Sequence, residues 1–384
     1  SEVLYVRNKK TGLICSPCAL IPGADGYFRV RHGFGYSVFQ RESRDCDLEL
    51  MLFCSADAPV KLMILNIINK TNQSAKFNVA FYAEWVLGVF RETTERFIVT
   101  EYNGKSEILT ARNTYCTEES KGVTYLFCDH PVTYKTGDRQ TFFGRNGNIL
   151  YPEALVTPAP SQLGAGLDPC GVIACDAKTA PHGRTCVVFG LGHAENSERA
   201  EITASHFRTP GHAQAELKTV QKFWEKLPGN ISIRTPNRAM DILMNGWLLY
   251  QVIACRLMAR AAFYQCGGAY GFRDQLQDVL AIMDYDAEMT RRHILLCCSR
   301  QFREGDVQHW WHHPDGMGVR TKISDDLLFL PYAVAEYIRH TGDAGILCEK
   351  VSFIESEPLG PEQSESVSTP VISKKTGDVY DHCV

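Results

Sequence analysis

The residues best suited to chemistry are concentrated in three stretches of the last third of the chain. In Ala269-Tyr270-Gly271-Phe272-Arg273-Asp274-Gln275-Leu276-Gln277-Asp278 two carboxylates stand four apart, so Asp274 and Asp278 share one face of a helix start. Arg273 beside them offers a planar fork for a carboxylate, a phosphate or sugar hydroxyls. Two readings stand. One is a capped helix with a structural ion pair; the other is a polar sugar-binding cluster, with Gln277 on the same helix and Gly267-Gly268 permitting close backbone approach. The second stretch runs from Glu304 to Pro314 and holds Gln308, His309, Trp310, Trp311, His312 and His313. Its histidines raise the possibility of a metal, but no second ligand cluster has matching spacing, so no metal is expected. Adjacent Trp310 and Trp311 suit an aromatic platform for a pyranose, or a loop packed by tryptophan. The third stretch, Gly318 to Asp326, puts Arg320 and Lys322 before Ser324-Asp325-Asp326. Ser324 or Asp325 should cap the helix that follows, with Asp326 in its first turn. Arg320 and Lys322 can attract a phosphate or pair with these acids. No GxSxG, HExxH or phosphate-loop motif competes.

The elements that must hold these stretches change character along the chain. The first 205 or so residues read as β, with runs at Lys61 to Ile68, Lys76 to Trp85, Arg96 to Glu101, Val123 to Cys128 and Thr185 to Leu191, punctuated by Gly, Asn, Asp and Pro. Many short strands at this spacing predict a large antiparallel sandwich. The period then becomes helical: Ala213 to Leu227, ended by Pro228-Gly229, and Asn237 to Ala262. Further helices are expected over Asp274 to Met283, Ala287 to Phe302, Asp325 to His340 and Gly345 to Glu355, then a loop to Thr369 and a helix start at Tyr380. The expected organisation is a β-sandwich over 1–210, a helical linker over 211–236 and a helical toroid from 237 to 384, its pocket built from the loops at one end. The chain opens at Ser1 on a strand-like run and stops at Val384 as a helix begins, which reads as a piece of a longer protein.

Composition narrows the function classes. The 384 residues carry a formal net charge of -4 with 45% hydrophobic and 22% charged residues, which excludes wholesale disorder and leaves no electrostatic footprint for nucleic acid. No apolar run reaches membrane-spanning length; Trp247 to Met258 is broken by Gln251 and Arg256. Fifteen Cys without a paired framework, Cys15-x-x-Cys18 and Cys297-Cys298 included, point to reduced, mostly buried thiols in a cytoplasmic setting.

Taken together the three stretches resemble family 94 of the glycoside hydrolases, the inverting disaccharide and oligosaccharide phosphorylases. Tyr270 to Asp278 is similar to that family's YGFRDQLQD segment, and Gly305 to His313 with Gly318 to Tyr332 to its GDVQHWWHPP…GVRTRFSDDLLWLPY segment. His313 stands where the family commonly has Pro. Arg31-His32-Gly33, Tyr82 to Gly88 and Gly164 to Cys170 resemble most the C-terminal region of cyclic β-1,2-glucan synthetases. The resemblance implies an N-terminal super-β-sandwich, a helical linker and part of an (α/α)6 barrel. It implies a reaction in which inorganic phosphate, the co-substrate, attacks a terminal β-glucosyl unit with inversion and gives α-glucose 1-phosphate, with no cofactor. Phosphate is already a nucleophile, so one carboxylic acid suffices where an inverting hydrolase needs two carboxyl groups. By motif, Arg273, Asp274, Gln277 and Asp278 should line the donor-sugar subsite, with Gln308, Trp310 and Trp311 as a further wall and Arg320, Asp325 and Asp326 nearby. The family's general acid lies in a GDWNDGM-type segment after the stretch matched by Gly377 to Cys383, so it is expected beyond Val384 and no catalytic residue is assigned within the chain. The implied partners are a β-glucan oligosaccharide and phosphate, the implied assembly a homodimer or a domain of a larger membrane-bound synthase. A glucan-binding module without turnover is the competing reading.

Overall fold

A computed structural model describes residues 1–19, 26–88, 90–115, 122–226, 232–260, 268–313 and 316–384. The chain forms two compact units, Ser1–Trp224 and Glu225–Val384.

The first unit is a two-sheet antiparallel sandwich. Its strands are β1 (Glu2–Asn8), β2 (Ile14–Cys15), β3 (Tyr27–Gly33), β4 (Tyr36–Glu42), β5 (Cys46–Cys54), β6 (Val60–Asn69), β7 (Ala75–Glu84), β8 (Ile98–Asn103), β9 (Ile108–Asn113), β10 (Val123–Cys128), β11 (Val132–Asp138), β12 (Pro169–Thr179) and β13 (Arg184–Ala194). One sheet has the order β11-β12-β7-β1-β2, the other β3-β4-β5-β6-β13-β10-β9-β8. The sequence period dictates the layering. In β7, Phe77, Val79, Phe81 and Ala83 enter the core between the sheets with Leu65, Leu126 and Phe189. The alternate residues Ala80 and Tyr82 meet Tyr5, Phe142, Phe143 and Leu155 on the outer face. A strand covered on both faces reads as a continuous apolar run, as β7 does. Gly190 lets the Phe127 ring lie across β13, since a Cβ there would sit 2.1 Å from it. Helix Ser197–Arg208 starts before the expected end of the β region; Asn196 caps it, its side chain accepting from Arg199 N. Helix His212–Glu225 follows, and the expected Pro228-Gly229 stop lies outside the described residues.

The second unit is mainly helical. The expected long helix over 237–262 is present from Arg238 to Met258 but is not regular. Asn237 caps it, and Asn245 and Gly246 leave helical geometry, with π-type turns on the C-terminal side. The Asn245 side chain accepts from Ile233 N and donates to Ile233 O, which ties this irregular turn to the segment before the helix. Helices Phe272–Leu280, Ala287–Cys298 and Ser324–Thr341 pack on one core with Trp311 and Ile346. Two expectations are corrected. Gly345 to Glu355 is not a helix: a 3-10 turn, Ala344–Cys348, leads into strand Lys350–Glu355, paired with Val371–Asp378. Val351, Phe353 and Ile354 make a short apolar run whose period does not separate strand from helix. The expected loop to Thr369 contains strand Glu365–Ser368.

Candidate active site

The three stretches are joined by one small antiparallel sheet. Strand Tyr270–Gly271 pairs with Gln308–Trp311, which pairs with Gly318–Thr321, which pairs with Glu365–Ser368. Two helices leave this sheet directly, Phe272–Leu280 and Ser324–Thr341, so their first turns lie side by side. In the first helix Phe272, Gln275, Leu276 and Val279 form the buried stripe, which turns Arg273, Asp274, Gln277 and Asp278 to the other side. Neither helix has a side-chain cap: the N-cap positions are Gly271 and Ile323, so Ser324 and Asp325 lie inside the second helix rather than capping it.

Arg273 bridges the two helix starts. Its Nη1 donates to Asp325 Oδ2 at 2.7 Å and its Nη2 lies 3.6 Å from Asp274 Oδ1. This pairing holds the Asp325 carboxyl below its usual range. Asp278 does not join that bridge. It accepts from Arg256 Nε at 3.0 and 3.3 Å, and Arg256 comes from the irregular end of the preceding helix. Burial nevertheless pushes the Asp278 carboxyl up, and the Asp274 charge adds to the rise. Arg256 is itself fixed: Gln275 Nε2 donates to its carbonyl at 3.0 Å, and Gln275 Oε1 meets His293 Nε2 at 2.5 Å. The Asp326 side chain is 2% exposed and lies 2.7 Å from His309 Nδ1.

The remaining candidates fall into two groups. Gln277 is exposed and Trp310 half-buried, its ring edge-on to His312 at 5.4 Å. Trp311, by contrast, is enclosed: it stacks on Tyr270 at 5.3 Å with a 4° interplanar angle, and the Arg300 guanidinium lies over its ring at 5.5 Å. Gln308 is also enclosed and donates to Gly316 O. Arg320 is fully engaged. Its fork grips Asp306 at 2.5 and 2.6 Å, reaches Glu304 at 3.1 Å, and lies 3.9 Å over the Phe302 ring. Lys322 donates to Gly360 O and Pro361 O. The positive charge of this stretch is therefore consumed in holding loops. Among the described residues no three His, Cys, Asp or Glu side chains converge as a metal site. Sequence reasoning passed over Arg256 as a break in an apolar run and His309 as one of a histidine cluster. Arg256 had no local signal, because its partner lies 22 residues away.

The arrangement presents an acidic, arginine-bridged surface beside a half-buried indole, which suits hydroxyl-rich ligands. Residues 1–210 match the description "Glycosyl hydrolase 94, supersandwich domain", and residues 223–384 match "Glycosyl hydrolase 94 superfamily, catalytic domain". The chain is 37% identical over 385 residues to the cyclic beta-(1,2)-glucan synthase NdvB of Rhizobium meliloti (strain 1021), covering 100% of this chain and 14% of that protein. It is 22% identical to N,N'-diacetylchitobiose phosphorylase of Vibrio furnissii (92% of this chain, 48% of that protein). It is 23% identical to solabiose phosphorylase of Paenibacillus borealis (100% and 49%). The chain thus spans about half, or far less, of the length of these relatives. Two solved structures share the fold. One is a kojibiose phosphorylase from the human microbiome (TM-score 0.52, 9% identity, 90% of this chain and 46% of that one). The other is a bacterial glucoamylase (0.54, 10%, 88% and 50%). With both domain descriptions matched, the chain belongs to glycoside hydrolase family 94, its residues 1–210 matching the supersandwich and 223–384 the α/α-barrel catalytic domain.

Proposed function

We propose that this chain is part of a phosphorylase-type module that binds the terminal glucosyl unit of a β-glucan, β-1,2-linked, and transfers it to inorganic phosphate with inversion, giving α-glucose 1-phosphate. The observation that carries the reading is the Arg273-bridged carboxylate cluster at the start of two helices, with Asp278 held by Arg256. Its distribution of donors and acceptors suits a pyranose, and the 37% identity to a cyclic β-1,2-glucan synthase supports the linkage. In this reading Arg273, Asp274 and Asp278 hold the donor sugar, Trp310 supports its C–H face, and the proton donor comes from a segment outside these 384 residues. Inorganic phosphate is the co-substrate and no cofactor is needed. A cytoplasmic setting fits, since the described cysteines are all free.

A second reading, glucan binding without turnover, is kept by one observation: Asp274, Asp278, Asp325 and Asp326 are each paired with Arg or His, so none stands free as a proton donor. The test is incubation of the intact protein with β-1,2-gluco-oligosaccharides with and without phosphate. Phosphate-dependent glucose 1-phosphate release is the expected result. Glucan binding with no release selects the second reading, and release of free glucose without phosphate overturns the first in favour of hydrolysis.

A further inference from the structure

We propose that His309 is a further ligand-contacting residue of this site, its Nε2 taking one hydroxyl of the bound glucosyl unit, and that Asp326 is the residue that positions it; the proposal rests on the donor-sugar reading above. The geometry starts from an anomaly in helix Ser324–Thr341. Its buried stripe is Asp326, Leu330, Ala333, Val334 and Tyr337, so a carboxylate occupies a place that the helical period reserves for an apolar side chain. A carboxylate whose side chain is 2% exposed is costly unless it is paired. Its partner is the His309 Nδ1 at 2.7 Å, and the His309 side chain remains 37% exposed. One ring nitrogen is thus committed inward, which fixes the ring orientation, while the opposite nitrogen is left for a ligand.

The surroundings select the ligand class. Asp326 bonds His309 from helix Ser324–Thr341, while Asp274 and Arg273 act on it from helix Phe272–Leu280. Asp278 and Asp325 complete the cluster, so even with His309 protonated four carboxylates stand against three cations, Arg256, Arg273 and His309. That excess of negative charge disfavours phosphate at this spot and suits a neutral hydroxyl. Asp326 raises the proton affinity of the ring, so the imidazolium form, with Nε2–H as donor, persists to higher pH than in a free histidine. Hydroxyl recognition by this donor is then present below the raised pKa and weakens as pH rises through it.

The test uses the intact protein and β-1,2-linked glucobiose, together with analogues lacking one hydroxyl at a time on the terminal ring, with binding measured by calorimetry. In the wild type, one analogue should bind about 10-fold or more weakly than the parent. His309→Gln should bind the parent weakly by a similar factor and stop discriminating against that one analogue, whereas a merely structural role would weaken all analogues alike. Asp326→Asn provides an independent arm: the pH at which parent binding declines should move down, because the ring loses its carboxylate. The proposal is overturned if His309→Gln binds the parent within twofold of wild type or keeps the wild-type discrimination, and equally if Asp326→Asn leaves the pH dependence unmoved. A wild type that binds no glucobiose overturns the donor-sugar reading as well, so the two failures are distinguishable.

Discussion

Replacing Arg320 with methionine separates a loop-holding role from a phosphate-binding one. Methionine keeps an aliphatic stem over Phe302 but deletes the fork that grips Asp306 at 2.5 and 2.6 Å and reaches Glu304 at 3.1 Å. Deleting one partner of a buried pair costs about 3–5 kcal/mol, because the other charge is left uncompensated. The Arg320 side chain is 2% exposed, but Asp306 is 27% and Glu304 51% exposed, so water recovers part of that cost. The expected loss is about 2–3 kcal/mol. At about 2–4 °C per kcal/mol for a unit of this size, Tm should fall by about 4–12 °C in a calorimetric scan of the intact protein. Arg320→Lys should fall part of the way, since a point charge does not replace a bidentate fork. Phosphate affinity of the folded fraction should be unchanged in both. A Tm within about 1 °C of wild type, together with lost phosphate affinity, would refute this account and return Arg320 to phosphate binding.

Three further outcomes follow from the same contacts. Asp278→Asn and Arg256→Met should each cut turnover of the intact protein about 10²-fold or more, the second by misplacing the first; wild-type turnover in either removes that pair from the donor site. Trp311→Ala should destabilise by about 3–5 kcal/mol through loss of the Tyr270 stack, while Trp310→Ala should weaken glucan binding about 10-fold with Tm nearly constant; the reverse pattern contradicts the assignment of the two rings. His293 is half-buried, and desolvation lowers its pKa from 6.5 to about 4, so stability is fully present above pH 6.5 and is lost as pH falls toward 4. The loss should be about 2–3 kcal/mol, read from urea midpoints at pH 7 and 4, and His293→Gln should remove it.

The sandwich and the principal helices were legible because their periods differ: β6 and β7 carry long apolar runs, while Phe272, Leu276 and Val279 recur at helical spacing. What stayed hidden has physical reasons. The sheet that joins the three chemical stretches is made of strands of two and four residues, too short to show an alternation. Asn245 and Gly246 break a helix whose apolar pattern runs straight through them. The partition of the charged residues was likewise unreadable from spacing. Arg320 and Arg273 look alike in the sequence, yet Arg320 is closed around Asp306 and Arg273 bridges exposed carboxylates. Arg256 finds Asp278 only through the fold.

The most direct test of the central claim is a crystal structure of the intact protein soaked with a β-1,2-linked glucotriose. The expected result is a terminal glucosyl ring within hydrogen-bond distance of Asp278, Arg273 and Asp274, with Trp310 against its C–H face. A saccharide seated elsewhere, with the Arg273–Asp325 and Arg256–Asp278 pairs untouched by ligand, would contradict it.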